Sequence, residues 1–302
     1  MNEAPVQHEF QTSGARLTYF EWGPQVGQVV LLIHATGFHA RCWDQVVKRL
    51  PDDYHVYAVD MRGHGRSENA PPYVWRTFGQ DLSELVEHLA ISDAVGVGHS
   101  MGGHCVTQVA ARAPGVFRRL LLIDPVIFEP DAYTSDGHRG FARAEDHPVS
   151  RRRNDWRSWE DMYDRFKDRT PFSLWRDDVL RDYCQFGVMP KENGEGFELA
   201  CPPLVEASIY LGNTSTDIHK VIPLVKVPVV VLRARPSSPG NEQAMDFSTS
   251  PTWEKLAAQF VKGRDVALPH LTHFIPMQEP GLVARFIVDA DAVEDSSTDM
   301  GR

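Results

Sequence analysis

The chain has 302 residues, 42% hydrophobic and 24% charged, ordinary values for a water-soluble globular protein long enough to bury a substantial core. Its formal net charge of −10 leaves no basic excess to neutralise phosphates, which argues against a nucleic-acid partner. The four cysteines (Cys42, Cys105, Cys184, Cys201) are far apart and form no C-x-x-C pair. Neither a disulfide framework nor a structural zinc site is expected, and reduced thiols in a cytoplasmic setting are the default.

In chain order, "MNEAPVQHEF" lacks a basic region followed by an apolar run, so no secretory signal is expected. No apolar run approaches the ~20 residues of a membrane span. "EFQTS" and "RLTYFEW" predict an antiparallel hairpin at a sheet edge. Strands are then predicted at 28–35, 55–61, 93–100, 118–126, 227–234 and 265–270. Several are apolar throughout, the pattern of parallel strands covered on both faces. "TFGQDLSELVEHLA" and "GGHCVTQVAARA" space their apolar residues three and four apart and predict helices. This alternation points to an α/β fold with a mostly parallel central sheet flanked by helices.

The alternation breaks between about Phe128 and Val221. "HPVSRRRNDWRSWEDMYDRFKDR" and "PFSLWRDDVLRDYCQFG" are helical candidates there, and "KENGEGFEL" reads as a turn flanked by short extended pieces. The expected organisation is a core over 1–128, a mainly helical insertion over 129–220 after the sixth strand, the rest of the core over 221–290, and an acidic disordered tail over 291–302.

Chemistry enters at "VGVGHSMGGH", where Ser100 stands between Gly98 and Gly102 after a strand and before a helix. The glycines let strand and helix approach closely, and the serine hydroxyl is left at a helix N-terminus, where a developing oxyanion is favoured. With "LLIHATGFHARCW", "DMRGHGRS" and "LPHLTHFIPMQEPGLVARFI" in the same order, the chain resembles an α/β-hydrolase from about Phe10 to Ala290. Ala35 stands where that family most often has glycine.

A serine nucleophile needs a base within hydrogen-bond reach. Among thirteen histidines, His273 follows the last predicted strand and matches the family's histidine, with His270 as its rival. His34, His64 and His99 belong to the motifs as loop-orienting or packing residues, and His104 lies one turn inside a helix. The resemblance implies oxyanion donors at the Met101 and Thr36 backbone N–H groups, with Gly37 as the adjacent alternative.

The acid departs from the family's usual pattern. After "VPVVVLRA" no Asp or Glu occurs until Glu242, and Asp246 comes later still. A minority of the family places the acid at the end of the preceding strand, where this chain has Asp124 in "LLLIDPV". Asp124 is preferred, and Asp246 stays open.

The resemblance implies that the insertion, about 129–220, is a cap that excludes water and shapes the pocket, with its aromatics mostly its own core. Arg151, Arg152 and Arg153 are either a solvated helix start paired with nearby acids or a receptor for an anionic substrate. The expected function is hydrolysis of a small carboxylic ester through an acyl-serine, with no metal or organic cofactor. The same groups serve thioesters, lactones, amides and C–C bonds, whereas haloalkane and epoxide chemistry would need a carboxylate at position 100. A ligand-binding protein on the same fold is the alternative from another class.

Overall fold

A computed structural model of the chain describes residues 1, 3–134, 141–213, 215–237 and 247–292. The strands are β1 (Val6–Gln11), β2 (Arg16–Trp22), β3 (Gln28–Ile33), β4 (Tyr54–Asp60), β5 (Ala94–His99), β6 (Phe117–Ile123), β7 (Asp155–Trp156), β8 (Val188–Pro190), β9 (Phe197–Leu199), β10 (Val229–Arg233) and β11 (Gly263–Ala267). The helices are α1 (Asp44–Val47), α2 (Trp75–His88), α3 (Met101–Arg112), α4 (Trp159–Phe166), α5 (Asp177–Phe186), α6 (Pro203–Leu211), α7 (Ile275–Gln278) and α8 (Pro280–Val288).

Eight strands form one sheet in the order β1-β2-β4-β3-β5-β6-β10-β11. The predicted hairpin is β1 and β2, and β2 joins β4 antiparallel; every other pair in the sheet is parallel. The continuous apolar runs follow from burial on both faces. In β3, Leu31 and Ile33 pack with Phe78, Leu82 and Leu85 of α2 and Val106 and Val109 of α3. Val30 and Leu32 face the opposite way, onto Val46 and Val47 of α1 and Leu282, Val283 and Phe286 of α8. The apolar residues of α2 lie three or four positions apart, which puts them on one helix face.

The chain leaves β3 for β4 on one side, while β5 lies on the other. The loops after β3 and β5 therefore diverge and open a crevice at the C-terminal ends of the strands.

Between β6 and β10 the expected long helix over 147–169 is shorter in the structure. Only Trp159–Phe166 is α-helical, because Asp155 and Trp156 pair with β9 instead, and the Ser158 side chain accepts the Asp161 N–H as the helix cap. The extended pieces around "KENGEGFEL" are β8 and β9, which with β7 make a three-stranded antiparallel sheet. Trp156, Met162, Trp175, Val179 and Tyr183 of this segment pack in one apolar cluster with Ala35 and Phe38 after β3 and with Phe274 and Met277. Among the described residues, no helix is long and apolar enough to cross a membrane.

Candidate active site

The bend between β5 and α3 is tight. Ser100 has φ 57° and ψ −117°, a positive φ that non-glycine residues rarely adopt and that costs about 1–3 kcal/mol. It is held by Ser100 N–H donating to the Ile123 carbonyl at 3.0 Å and by the Ser100 carbonyl accepting from Val126 at 3.2 Å. The flanking glycines are required by space. A Cβ on Gly102 would lie 2.2 Å from the Ile33 carbonyl oxygen, and one on Gly98 would lie 2.3 Å from the Gly102 backbone. Because backbone cannot swing aside as a side chain can, Gly102→Ala is expected to lower folding stability by about 2–3 kcal/mol in urea unfolding. A wild-type midpoint would show that the elbow is looser than this geometry.

β6 ends one residue before Asp124, which has φ 42° and turns its carboxylate into the crevice. His273 lies in the loop between β11 and α7. The structure brings the three together: His273 Nε2 is 3.0 Å from Ser100 Oγ, and His273 Nδ1 is 2.7 Å from Asp124 Oδ2. With the Nδ1 proton donated to the carboxylate, Nε2 is left as an acceptor facing the serine hydroxyl. Asp124 is fully buried, Ser100 is 6% exposed and His273 is 3% exposed. His270, the rival base, is exposed. Asp246, the rival acid, lies outside the described residues.

Supporting contacts reach the three side chains from several directions. Asp124 Oδ1 accepts from the Ala234 N–H at 2.9 Å and from the Ser250 hydroxyl, while Thr252 Oγ1, 3.3 Å away, donates to the Pro125 carbonyl at 2.7 Å. His99 Nε2 donates to the His273 carbonyl at 2.8 Å, and the His273 N–H donates to the Phe247 carbonyl at 3.2 Å. Ser250 and Thr252 carried no signal in the sequence. They sit in "DFSTSPTW" well beyond β10, and only the fold returns them to Asp124.

Met101 opens α3, where first-turn N–H groups have no acceptor within the helix. Among the described residues, no backbone acceptor pairs with the N–H of Met101 or Thr36. The Gly37 N–H, the alternative donor, is already given to His64 Nε2 at 3.0 Å. His64 Nδ1 in turn donates to the Arg62 carbonyl at 3.0 Å. His34 bridges likewise, donating from Nδ1 to the Ala35 carbonyl at 2.7 Å and accepting the Met61 N–H on Nε2 at 3.0 Å. Both rings thus tie the loop after β3 to the "DMRGHGRS" turn, where Asp60 accepts from the Ala40 N–H at 2.6 Å and the Arg66 N–H at 2.9 Å. His104 accepts from Gln108 at 3.0 Å and lies edge-on to Trp75.

Burial keeps these rings neutral. It lowers His39 to about 3 and His64 and His104 to about 4, and holds His34 and His99 well below the ordinary imidazole range. In an unfolded chain the same groups titrate near ~6.5. Between that value and about 4, only the unfolded chain takes up their protons, so their contribution to stability is present above the unfolded value and lost as pH falls. Asp60 and Asp182, raised by burial to about 6, work in the opposite sense over the lower part of this window. Asp44 and Glu206, also raised by burial, add to them, but the five histidines outnumber these four carboxyls, so the urea midpoint is expected to fall from pH 7 to pH 5. A midpoint that holds or rises would contradict the buried neutral state.

Of the three arginines in "SRRRN", Arg151 is exposed, and Arg153 pairs with Asp161 at 2.6 Å and lies 4.1 Å over the Trp156 ring. Arg152 turns inward, donating from Nη1 to Glu206 Oε2 and from Nη2 to the Tyr183 hydroxyl at 3.1 Å. Burial raises the Glu206 carboxyl above its ordinary range, and the Arg152 charge pulls it back. Among the described residues, no three His, Cys, Asp or Glu side chains converge as metal ligands.

The sequence profile described as "Alpha/beta hydrolase family" matches residues 30–286. A non-heme chloroperoxidase of Streptomyces lividans is 36% identical over 118 residues, covering 38% of this chain and 43% of that protein. A bifunctional esterase/perhydrolase of Acinetobacter calcoaceticus is 24% identical over 279 residues, covering 88% of this chain and 92% of the other. The crystal structure of E-2-(acetamidomethylene)succinate hydrolase superposes with a TM-score of 0.75 at 22% identity, over 96% of this chain and all of the other. Several of the curated relatives are thus matched over less than half of their length.

Proposed function

The chain belongs to the alpha/beta hydrolase family, and from that premise we propose that it is a serine hydrolase cleaving a small carboxylic ester through an acyl-serine intermediate. The observation that carries the reading is the continuous relay Ser100–His273–Asp124, with both links at hydrogen-bond length. The esterase named among the relatives supports the choice of bond.

In this mechanism Ser100 Oγ attacks the ester carbonyl carbon while His273 Nε2 takes the hydroxyl proton. The carbonyl π electrons move to oxygen, and the oxyanion lies against the Thr36 and Met101 N–H groups. Collapse expels the alcohol oxygen, which receives the proton from Nε2 and leaves an acyl-Ser100 ester. Water then repeats the sequence in reverse roles and releases the acid. Asp124 keeps the proton on Nδ1 and stabilises the imidazolium formed in each half.

Residues 129–220 act as a cap over this site. Their packing against Phe38 and Phe274 supports that role, since it closes the crevice with apolar surface. The four cysteines lie far apart in the chain with no C-x-x-C pair, and the proposal includes a cytoplasmic setting. Thioesters, lactones and C–C bonds would use the same groups.

The test is a rate series over p-nitrophenyl acetate, butyrate and octanoate. The reading expects turnover that stops after treatment with a sulfonyl fluoride. Folded protein that hydrolyses none of them, or whose turnover survives the treatment, would overturn it.

A further inference from the structure

The Arg152–Glu206 pair stands beside the loop that follows β3. Glu206, on α6, has a side chain only 4% exposed, and its carboxylate lies against Gly37: a Cβ there would sit 2.3 Å from Glu206 Oε1. Gly37 adjoins Thr36, the proposed oxyanion donor. Beside Arg152 and the loop is a cavity of about 10 Å³, lined by Gly37, Phe38, Arg152, Tyr183 and Cys201 among others, space for about one water molecule. The Phe38 ring leads on to the chemistry, with its centroid 6.2 Å from His99 and 5.9 Å from Phe274. The ion pair is thus part of the wall behind the loop that carries Thr36.

An unpaired arginine in this wall would be a receptor for a substrate carboxylate, because its planar fork matches that group. Here the fork is already engaged by Glu206 and Tyr183. The pair has no net charge, and an incoming carboxylate would meet the Glu206 carboxylate in a partly desolvated place. We infer that Glu206 is a specificity-determining residue: by occupying Arg152 beside the oxyanion loop, it makes the site select neutral esters and reject esters that carry a free carboxylate near the scissile bond. Selection here works through a repulsive element against the wrong substrate as well as contacts to the right one. The inference rests on the esterase reading above.

The experiment compares kcat/KM, followed by pH-stat, for ethyl butyrate with that for monoethyl succinate, which differs mainly by a terminal carboxylate and whose ethoxide that carboxylate does not expel. Wild type is expected to favour the neutral ester. Glu206→Gln frees the arginine, and the neutral-to-anionic ratio is expected to fall by about tenfold or more, a differential of about 1.4 kcal/mol. Arg152→Gln leaves the carboxylate alone and should raise the ratio. The double variant removes both charges and should return the ratio to within about threefold of wild type.

Glu206→Gln leaves a partly buried cation without its partner, so each variant is first checked by a thermal melt. If it does not fold, Arg152→Gln and the double variant carry the comparison. A ratio unchanged in the folded single variants, or a wild type that prefers the anionic ester, would overturn the inference alone. Folded wild type that hydrolyses neither ester would overturn the hydrolase reading, and this inference with it.

Discussion

Ser100→Ala is expected to reduce kcat for p-nitrophenyl acetate by on the order of 10⁵- to 10⁶-fold. Alanine removes the only atom that would bond to the acyl carbon and leaves the rest of the crevice in place. Stability should change by no more than about 1.5 kcal/mol, since one hydrogen bond to His273 is lost and a methyl group fits where a hydroxymethyl stood. The strained φ of 57° is kept by alanine, so no relief of the elbow offsets that loss. Activity is measured by p-nitrophenolate release and stability by urea unfolding of the same preparations. Residual turnover within tenfold of wild type would remove Ser100 from the reaction.

The second large effect is expected at Asp124. Its Oδ1 accepts from two donors, the Ala234 N–H and the Ser250 hydroxyl, while Oδ2 faces His273 Nδ1. In Asp124→Asn those donors hold the amide oxygen at the Oδ1 position, which turns the NH2 group towards His273. Nδ1 must then accept a hydrogen bond, the ring proton moves to Nε2, and Nε2 loses its capacity to take the serine proton. A fall of about 10⁴-fold in kcat is expected, with little change in KM. Asp246→Asn, by contrast, is expected to keep the wild-type rate. The reverse pattern would move the acid to the loop after β10.

That contrast marks where the sequence was legible and where it was not. The elbow could be read because its requirements are local: a strand, two glycines that let backbones meet, and a helix start, all within a few residues. His273 could be placed because it follows a strand and precedes an apolar helix. The acid was harder, since no local spacing encodes the Ser250 and Thr252 side chains reaching Asp124 from 126 and 128 residues later. The β strands that are buried on both faces stood out as apolar runs, whereas the run at 265–270 overlaps only part of β11, an exposed edge strand that starts at Gly263 and ends at Ala267. There the Leu271 N–H donates back to the Leu268 carbonyl and turns the chain towards His273.

The segment between β6 and β10 was the least legible. The run over 147–169 reads as one helical candidate, but pairing of Trp156 with Phe197 decides the outcome from more than forty positions away. The arginine run gave two readings for three residues, and the structure divides them. Arg153 behaves as a solvated partner of Asp161, while Arg152 turns inward because Glu206, on a later helix, offers the nearest countercharge.

The central claim is that Ser100 is a nucleophile activated through His273 and Asp124. It is tested most directly by incubating the folded chain with a fluorophosphonate and locating the added mass by peptide mass spectrometry. The account predicts one adduct on the peptide containing Ser100, absent from Ser100→Ala and formed far more slowly in Asp124→Asn. An unlabelled wild type, an adduct on another residue, or equal labelling rates in wild type and Asp124→Asn would contradict it.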